Sequence, residues 1–312
     1  MKKKTIYLLS TAALAISLEQ SAILALAAPA GQAGTVITQA QTASVTSGSQ
    51  TYNTFEALLK KSGQLPKAVV YLQQNISKAK AYEASLMTLH LENAQKKQLL
   101  SMQNRLGTPS VQSQIAKLYK RGDTFAALGA RTRNSSLRQL LSEAEASGYK
   151  LETAEGFFFP ILDYEKYASF RPYVTADIRS YIDIMAEESK QAPAKDGALV
   201  IGYQQIVTRA LAQESFILKY PNSNRISQVK GLFKNYNLYT FYGLNNTPLF
   251  DYVTKQMQPN AKKGYMAVLS RSKVEASPYL TQLSAFMSVA NDNDYKLTDE
   301  VEQYRDENIP EN

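Results

Sequence analysis

Residues 199–236 read LVIGYQQIVTRALAQESFILKYPNSNRISQVKGLFKNY. Leu199, Tyr203, Ile206, Ala210, Ile217 and Tyr220 recur at the spacing of one helical face. Pro221 ends that run, because the residue before a proline avoids helical angles. Ser223 can cap a second helix with apolar positions at Ile226, Val229, Leu232, Phe233 and Tyr236. The stretch therefore predicts two helices joined by a tight turn, an antiparallel hairpin. Each helix has a one-sided apolar stripe and needs a neighbour to cover it.

Working outward, the same signals recur. Thr108-Pro109 and Ser277-Pro278 are cap-plus-first-position pairs, and Pro66 suits a helix start. Tyr82, Leu86, Leu89 and Met102 line a long helix ending at Gly107, and Leu137, Leu140, Leu141 and Ala144 line another ending at Gly148. Thr247-Pro248 predicts a further helix with its face at Leu249, Phe250, Val253 and Met257, closed by Pro259-Asn260. Residues 265–269 fit a short strand or a helix start. The expected fold is all-α: antiparallel helical hairpins in an irregular tetratricopeptide-like array or bundle. The expected organisation is an N-terminal helical subdomain over 51–150 and a C-terminal one over 151–290.

One feature of the hairpin carries a family likeness. Phe216, Tyr220-Pro221-Asn222-Ser223 and the helix after them resemble the ends of tetratricopeptide-like helix pairs in bacterial envelope proteins. The resemblance covers residues 203–238 and does not recur at 34 residues. It implies helical hairpins in an exported protein, in a family that mostly scaffolds other proteins.

The start of the chain reads as a targeting segment. Lys2, Lys3 and Lys4 precede an apolar run from Ile6 to Leu18, and small-residue cleavage patterns follow at Ala25-Leu26-Ala27 and Ala28-Pro29-Ala30. Residues 1–30 are expected to be a signal peptide removed near 27–30, leaving a secreted or envelope-associated protein. Residues 31–50 hold almost no large side chain and are expected to be a flexible linker. A lysine-rich signal on a chain without cysteine fits a bacterial exporter.

Composition narrows the chemistry. Without cysteine there are no disulfides, iron–sulfur sites or thiol nucleophiles. With His90 as its one histidine, the chain has no histidine-rich metal site of its own. No Gly-rich phosphate loop, dinucleotide fingerprint or serine elbow is present, so no cofactor and no metal is expected. Asn291-Asp292-Asn293-Asp294 begins like a calcium loop, but Tyr295 and Lys296 stand where ligands and a glycine are needed.

The precursor carries +8. Without Lys2, Lys3, Lys4 and Glu19 there remain 32 basic and 26 acidic side chains, a balance of +6. Residues 291–312 hold eight acids against Lys296 and Arg305, a tail of −6 beside a body of +12. That tail is expected either to mask a basic turn, at Arg131–Arg133 or Lys262–Lys263, or to stay in water as a solubilising segment. No dense basic stripe with interleaved aromatics suggests nucleic acid.

Residues 152–173, ETAEGFFFPILDYEKYASFRPY, break the helical rhythm. So much apolar mass in a connection must be packed down or line a groove. The expected function is that of a non-enzymatic exported protein binding an envelope or extracellular protein partner. Its contact rings are expected to be Phe157, Phe158, Tyr164 and Tyr167 of this connection, with Tyr239 and Tyr242 from the next aromatic cluster. The alternative is a protein that binds or cleaves cell-wall glycan, an anionic wall polymer included. Glu155 would be its general acid, raised in pKa by neighbouring phenyl rings.

Overall fold

The computed structural model describes residues 50–309. The expected signal peptide, and all of the expected linker but Gln50, lie outside them. A first helix, α1, occupies residues 50–59. There follow α2 (Leu65–Asn75), α3 (Ala81–Leu106), α4 (Pro109–Leu118), α5 (Phe125–Arg131) and α6 (Ser135–Ala146). A hairpin of β1 (Tyr149–Ala154) and β2 (Phe157–Leu162), a 3-10 segment (Tyr164–Phe170) and α7 (Ala176–Lys190) come next. The chain continues through the short β3 (Ala194–Lys195) and β4 (Ala198–Leu199), then α8 (Tyr203–Lys219) and α9 (Ile226–Phe241). It ends with β5 (Gly243–Leu244), β6 (Thr247–Pro248), α10 (Pro259–Leu269), α11 (Pro278–Asp292) and α12 (Asp299–Asn308). The architecture is a mostly helical bundle, and α8 with α9 forms its most extensive helix–helix contact. No helix among the described residues is long and apolar enough to cross a membrane.

The all-α expectation is corrected by three two-stranded antiparallel sheets, β1-β2, β3-β4 and β5-β6. The β1–β2 register runs from Tyr149 opposite Leu162 to Ala154 opposite Phe157. The three phenylalanines that fit no helix obey the strand period of two: Phe158, Pro160 and Leu162 are buried, while Phe157 is exposed. Glu155 (φ 49°) and Gly156 (φ 75°) turn the hairpin, two successive positive angles of the kind that match strand twist. The outer edge of β2 is closed. The Gln112 amide donates to the Phe158 carbonyl at 2.8 Å and accepts from its N–H at 3.0 Å. Pro160 offers no donor.

A second correction concerns residues 247–258, which are extended and turned rather than helical. Of the expected face, Leu249, Phe250 and Met257 are buried, while Val253 is 89 % exposed. The conformation differs because the Asp251 carboxylate captures the Val253 and Thr254 N–H groups at 3.0 and 2.8 Å, closing a turn instead of a helix. Pro259 therefore starts α10 instead of closing a helix, and residues 265–269 continue it.

Two apolar clusters fill the molecule. The first runs from Phe55 to Ile182 and includes Phe158, Tyr164, Tyr167 and Phe170. The second runs from Ile201 to Ile309. A small cluster of Tyr181, Ile184, Phe216 and Val229 joins them. The division thus falls along α7, and the 157–170 rings pack with the first cluster. The acidic tail is a core element. Val301 is fully buried, Ile309 nearly so, and the Arg305 guanidinium lies 4.6 Å from the centre of the Tyr242 ring. Burial of Val301 and Ile309 against α11 and its surroundings fixes α12, in place of a solvated or charge-docked tail.

Candidate interaction surface

The turns absent from the helical expectation are stitched into one ridge. Lys195 of β3 reaches Glu152 of β1 at 2.7 Å. The turn after β3, Asp196 (φ 52°) and Gly197 (φ 72°), accepts the Asn246 N–H from the β5–β6 turn at 2.9 Å. Leu199 N–H donates to the Thr247 hydroxyl at 3.1 Å. The Tyr252 hydroxyl donates to the Asn245 carbonyl at 3.1 Å, tying the 251–257 turn to the same hairpin. Met257 N–H donates to Tyr295 O and Leu297 N–H to Lys255 O, both at 2.8 Å, so residues 294–297 close the row.

The ridge gathers unusual backbone and exposed apolar groups. Among the described residues, the non-glycine positions with positive φ are Glu155, Asp196, Lys255, Asp294 and Tyr295, and all lie on it. Such angles cost about 1 kcal/mol or more each and persist where the surroundings enforce them. Phe157 is 52 % exposed, Val200 43 %, Tyr252 62 % and Val253 89 %. The charge is graded. The hairpin end carries Glu155 and Asp196 with the paired Glu152–Lys195; the other end carries Lys255, Lys262, Lys263 and Lys296 with Asp251 and Asp294.

Of the rings expected at a contact surface, Phe157 is presented to solvent. Phe158, Tyr164 and Tyr167 are buried, and Tyr239 and Tyr242 are half-buried. Tyr239 packs on Tyr236 with ring centres 5.5 Å apart, and the Tyr242 hydroxyl donates to Ile309 O at 2.8 Å. The six rings do not share one surface, because strand alternation and α7 draw three of them into the first core. Glu155 stands exposed at a hairpin tip.

Tyr164 and Tyr167 instead serve a buried polar centre that the chain's local patterns did not announce. Glu92 of α3 is 1 % exposed. Its carboxylate accepts from the hydroxyls of Tyr164 and Tyr181 at 2.5 Å each, from Lys96 at 2.6 Å and from Arg225 at 2.7 Å. Burial alone would raise its pKa. The charges of Lys96 and Arg225, with hydrogen bonds from Lys96 and Tyr164, reverse that and hold the carboxyl below its ordinary range. Arg225 also donates to Asn93 Oδ1 at 2.9 Å and to the Leu89 carbonyl at 3.3 Å. One turn along α3, the Gln95 amide donates to Ser147 O at 2.8 Å and accepts from the Tyr167 hydroxyl. The available signal was a Glu and a Gln on the buried stripe of a helix, beside Thr88, Leu91 and Met102. Among the described residues, no three His, Cys, Asp or Glu side chains converge as metal ligands.

Comparison with known proteins finds no matching family, no matching curated protein and no matching solved structure.

Proposed function

We propose that this chain is an exported, non-enzymatic helical protein that binds an envelope or extracellular protein partner through the hairpin end of the ridge. The observation that carries it is the joining of separate turns into one row, with Phe157 exposed beside the β1–β2 turn and Val200 exposed just after β4. Large apolar groups on a rigid, backbone-satisfied surface are the usual anchors of a protein interface. Export is supported by the charged start and apolar run of residues 2–18. The antiparallel α8–α9 hairpin, turned at Tyr220-Pro221-Asn222-Ser223, supports a single tetratricopeptide-like pair as the finer architecture.

Glu92 supports a structural role: its oxygens are taken by Tyr164, Tyr181, Lys96 and Arg225, which leaves no proton to exchange with a substrate at neutral pH. Glycan cleavage by Glu155 has less support, since its side chain stands exposed at a hairpin tip. Glu155 and Asp196 at the hairpin tips also disfavour a polyanion at this end.

The test is a photo-cross-linking residue placed at 157, at 200 and, as a control, at the exposed Ser227 of α9. One shared protein adduct from 157 and 200, absent from 227, is the expected outcome. Equal adducts from all three positions, or none from 157 and 200, would remove the proposal. Mass measurement of the protein recovered outside the cell checks export: an intact residue 1–30 segment would contradict cleavage near 27–30.

A further inference from the structure

We infer that the lobe built by residues 57–142 is a docking surface for a polyol phosphate, a polymer that alternates phosphates with hydroxyl-bearing carbons, seated in the cleft between α1, α3 and α6. This is a second activity beside the protein-partner proposal and does not depend on it. The charge of the chain is segregated. Residues 57–142 hold 14 basic and three acidic side chains, a balance of +11, whereas residues 143–309 hold 18 basic and 21 acidic ones, a balance of −3. The three acids of the lobe are engaged: Glu92 is the buried centre, Asp123 pairs with Arg131, and Glu83 accepts from the Lys80 N–H at 3.4 Å. Of the 14 cations, Lys96 and Arg105 pair with Glu92 and Glu143, Arg131 with Asp123, and Arg138 donates to the Gly129 and Thr132 carbonyls. The other ten are exposed, and none of them forms an ion pair among the described residues. The acidic helix α12 does not cover them: it is held in the second apolar cluster, and none of its carboxylates pairs with the lobe among the described residues. The unpaired acids on the border are Glu145, in a recess with Arg138 between α5 and α6, and Glu155 at the β1–β2 tip.

A cleft of about 250 Å³ lies on the other side of α6 from Glu145, since Glu143 lines it and two positions on a helix are roughly 200° apart. Its walls are the α1–α2 turn at Ser62, the Gln98, Ser101 and Arg105 positions of α3, and Glu143. Gln98, Ser101 and Arg105 stand at the spacing of one helical face. Glu143 is no free charge there, because Arg105 donates to its two oxygens at 2.6 and 2.7 Å. The side chains of Ser62, Gln98 and Ser101 are exposed and bond to nothing among the described residues. Glu56 of α1 meets His90 of α3 at 2.6 Å, and Ser62 faces Gln98 across the cleft, so α1 runs alongside α3 in the same direction. That register brings the exposed Lys60 and Lys61 to the rim that Lys97, four residues before Ser101, also borders.

The groups of the cleft select the ligand. A concave site rimmed by one sign of charge focuses the field on what enters it. Eight of the ten unpaired cations of the lobe are lysines, the others being Arg121 and Arg133. A lysine ammonium is a point charge that serves a phosphate oxygen from any direction, whereas a carboxylate polymer is matched by planar arginine forks. The arginine of the cleft is already engaged by Glu143. The hydroxyls of Ser62 and Ser101 and the amide of Gln98 both donate and accept, which suits hydroxyls set between phosphates. A nucleic acid strand is held on a row of stacking rings, and Tyr82 is the single exposed ring of the lobe.

The test is calorimetric titration of the full chain with polyglycerol phosphate across a salt series. One variant combines Lys60→Gln, Lys61→Gln and Lys97→Gln. Its control combines Lys234→Gln, Lys263→Gln and Lys273→Gln, exposed lysines outside the lobe with the same loss of charge. The cleft variant should keep the parent's melting temperature and bind about tenfold more weakly at low salt, the combined effect of three exposed ion pairs. The control should stay within about twofold of the parent. Gln98→Ala with Ser101→Ala should weaken binding of polyglycerol phosphate and leave inorganic polyphosphate, which has no such hydroxyls, unchanged. Equal weakening by the two lysine variants would reduce the attraction to net charge and overturn the inference. So would tighter binding of polygalacturonate or single-stranded DNA of matched charge, or a Gln98–Ser101 variant indistinguishable from the parent on both phosphates. A cleft variant that releases phosphatidylglycerol vesicles while the polymer stays bound would assign the lobe to a membrane and overturn it as well.

Discussion

Glu92 is a buried carboxylate and Glu188 a half-buried one, both where the two apolar clusters meet, and their environments push them in opposite directions. Glu92 has two cations at 2.6 and 2.7 Å and two tyrosine hydroxyls at 2.5 Å. It is held below the ordinary carboxylate range. Glu188, on α7, accepts from the Tyr236 hydroxyl at 2.6 Å, but Arg209 donates to it only at 3.5 Å and gives its shorter bond, 2.8 Å, to the Gln191 carbonyl. Burial therefore outweighs its partners, and its pKa rises. The contrast shows what a buried charge needs: cations at contact distance that have no better acceptor.

The most direct way to break the contrast is to remove a cation from the first site. Arg225→Ala leaves Glu92 buried beside Lys96 alone and opens the link from α9 to α3. Breaking a buried pair from one side costs about 3–5 kcal/mol. Urea unfolding of the variant and parent checks this, and a loss below about 1 kcal/mol, the range of exposed pairs, would show that the pair is solvated in practice.

Acid titration separates the two groups by sign. The folded pKa of Glu92 is depressed, so its stabilisation is complete above the ordinary carboxylate range and is lost as pH falls through the folded value. Glu188 has a raised folded pKa, so its ionisation costs stability near neutral pH, and that cost disappears as pH falls through the folded value. Glu92→Gln should flatten the loss of melting temperature between neutral pH and pH 3. A curve parallel to the parent's would show that Glu92 titrates no differently in the folded and unfolded states.

Gly148→Ala sharpens the comparison from the backbone side. Gly148 has φ 84°, and a Cβ there would lie 2.1 Å from Gln95 Nε2. The left-handed angle costs about 1–2 kcal/mol in alanine, and displacing Gln95 from Ser147 forfeits about 1 kcal/mol more. The expected loss is thus smaller than that of Arg225→Ala, and an unchanged melting temperature would mean that Gln95 moves freely.

Local chemistry made much of the fold readable. Gly148 was legible as a helix terminator because only a left-handed residue satisfies that end, and Pro109 and Pro278 marked first helical positions for the same kind of reason. The α8–α9 hairpin was legible from two apolar stripes, although Arg225, and not Ser223, precedes the first residue of α9. Ser223 accepts from the Arg225 N–H and donates to Asp177 of α7 at 2.7 Å. The short strands were illegible because two residues cannot display a period. At 251–257 a single carboxylate decided between turn and helix. The Glu92 centre was illegible for a different reason: Arg225 lies 133 residues away, and no local pattern encodes that meeting. Which of the expected contact rings turn inward was illegible, since an aromatic run does not say which ring is buried until its period is known. Ile309 was overlooked behind the surrounding acids, whose charge dominates the composition of the tail but not its packing.

The smallest expected effect belongs to Glu188→Gln, and it closes the comparison from the weaker side. A glutamine oxygen can keep accepting from the Tyr236 hydroxyl, now held at 2.6 Å by the carboxylate. The substitution removes a charge that burial penalises, while Arg209 retains the Gln191 carbonyl at 2.8 Å. Against that gain stands the lost attraction to Arg209, weakened by its 3.5 Å separation. The two terms nearly cancel, so the variant should match the parent or exceed it by at most about 1 kcal/mol at neutral pH. The difference should shrink as pH falls, because the parent's Glu188 then takes up its proton and loses the same penalty. Urea unfolding of both proteins at pH 7 and pH 5 measures it. A loss of about 3 kcal/mol at pH 7 would place Glu188 with Glu92 as a paired buried charge, and the contrast between the two sites would fail.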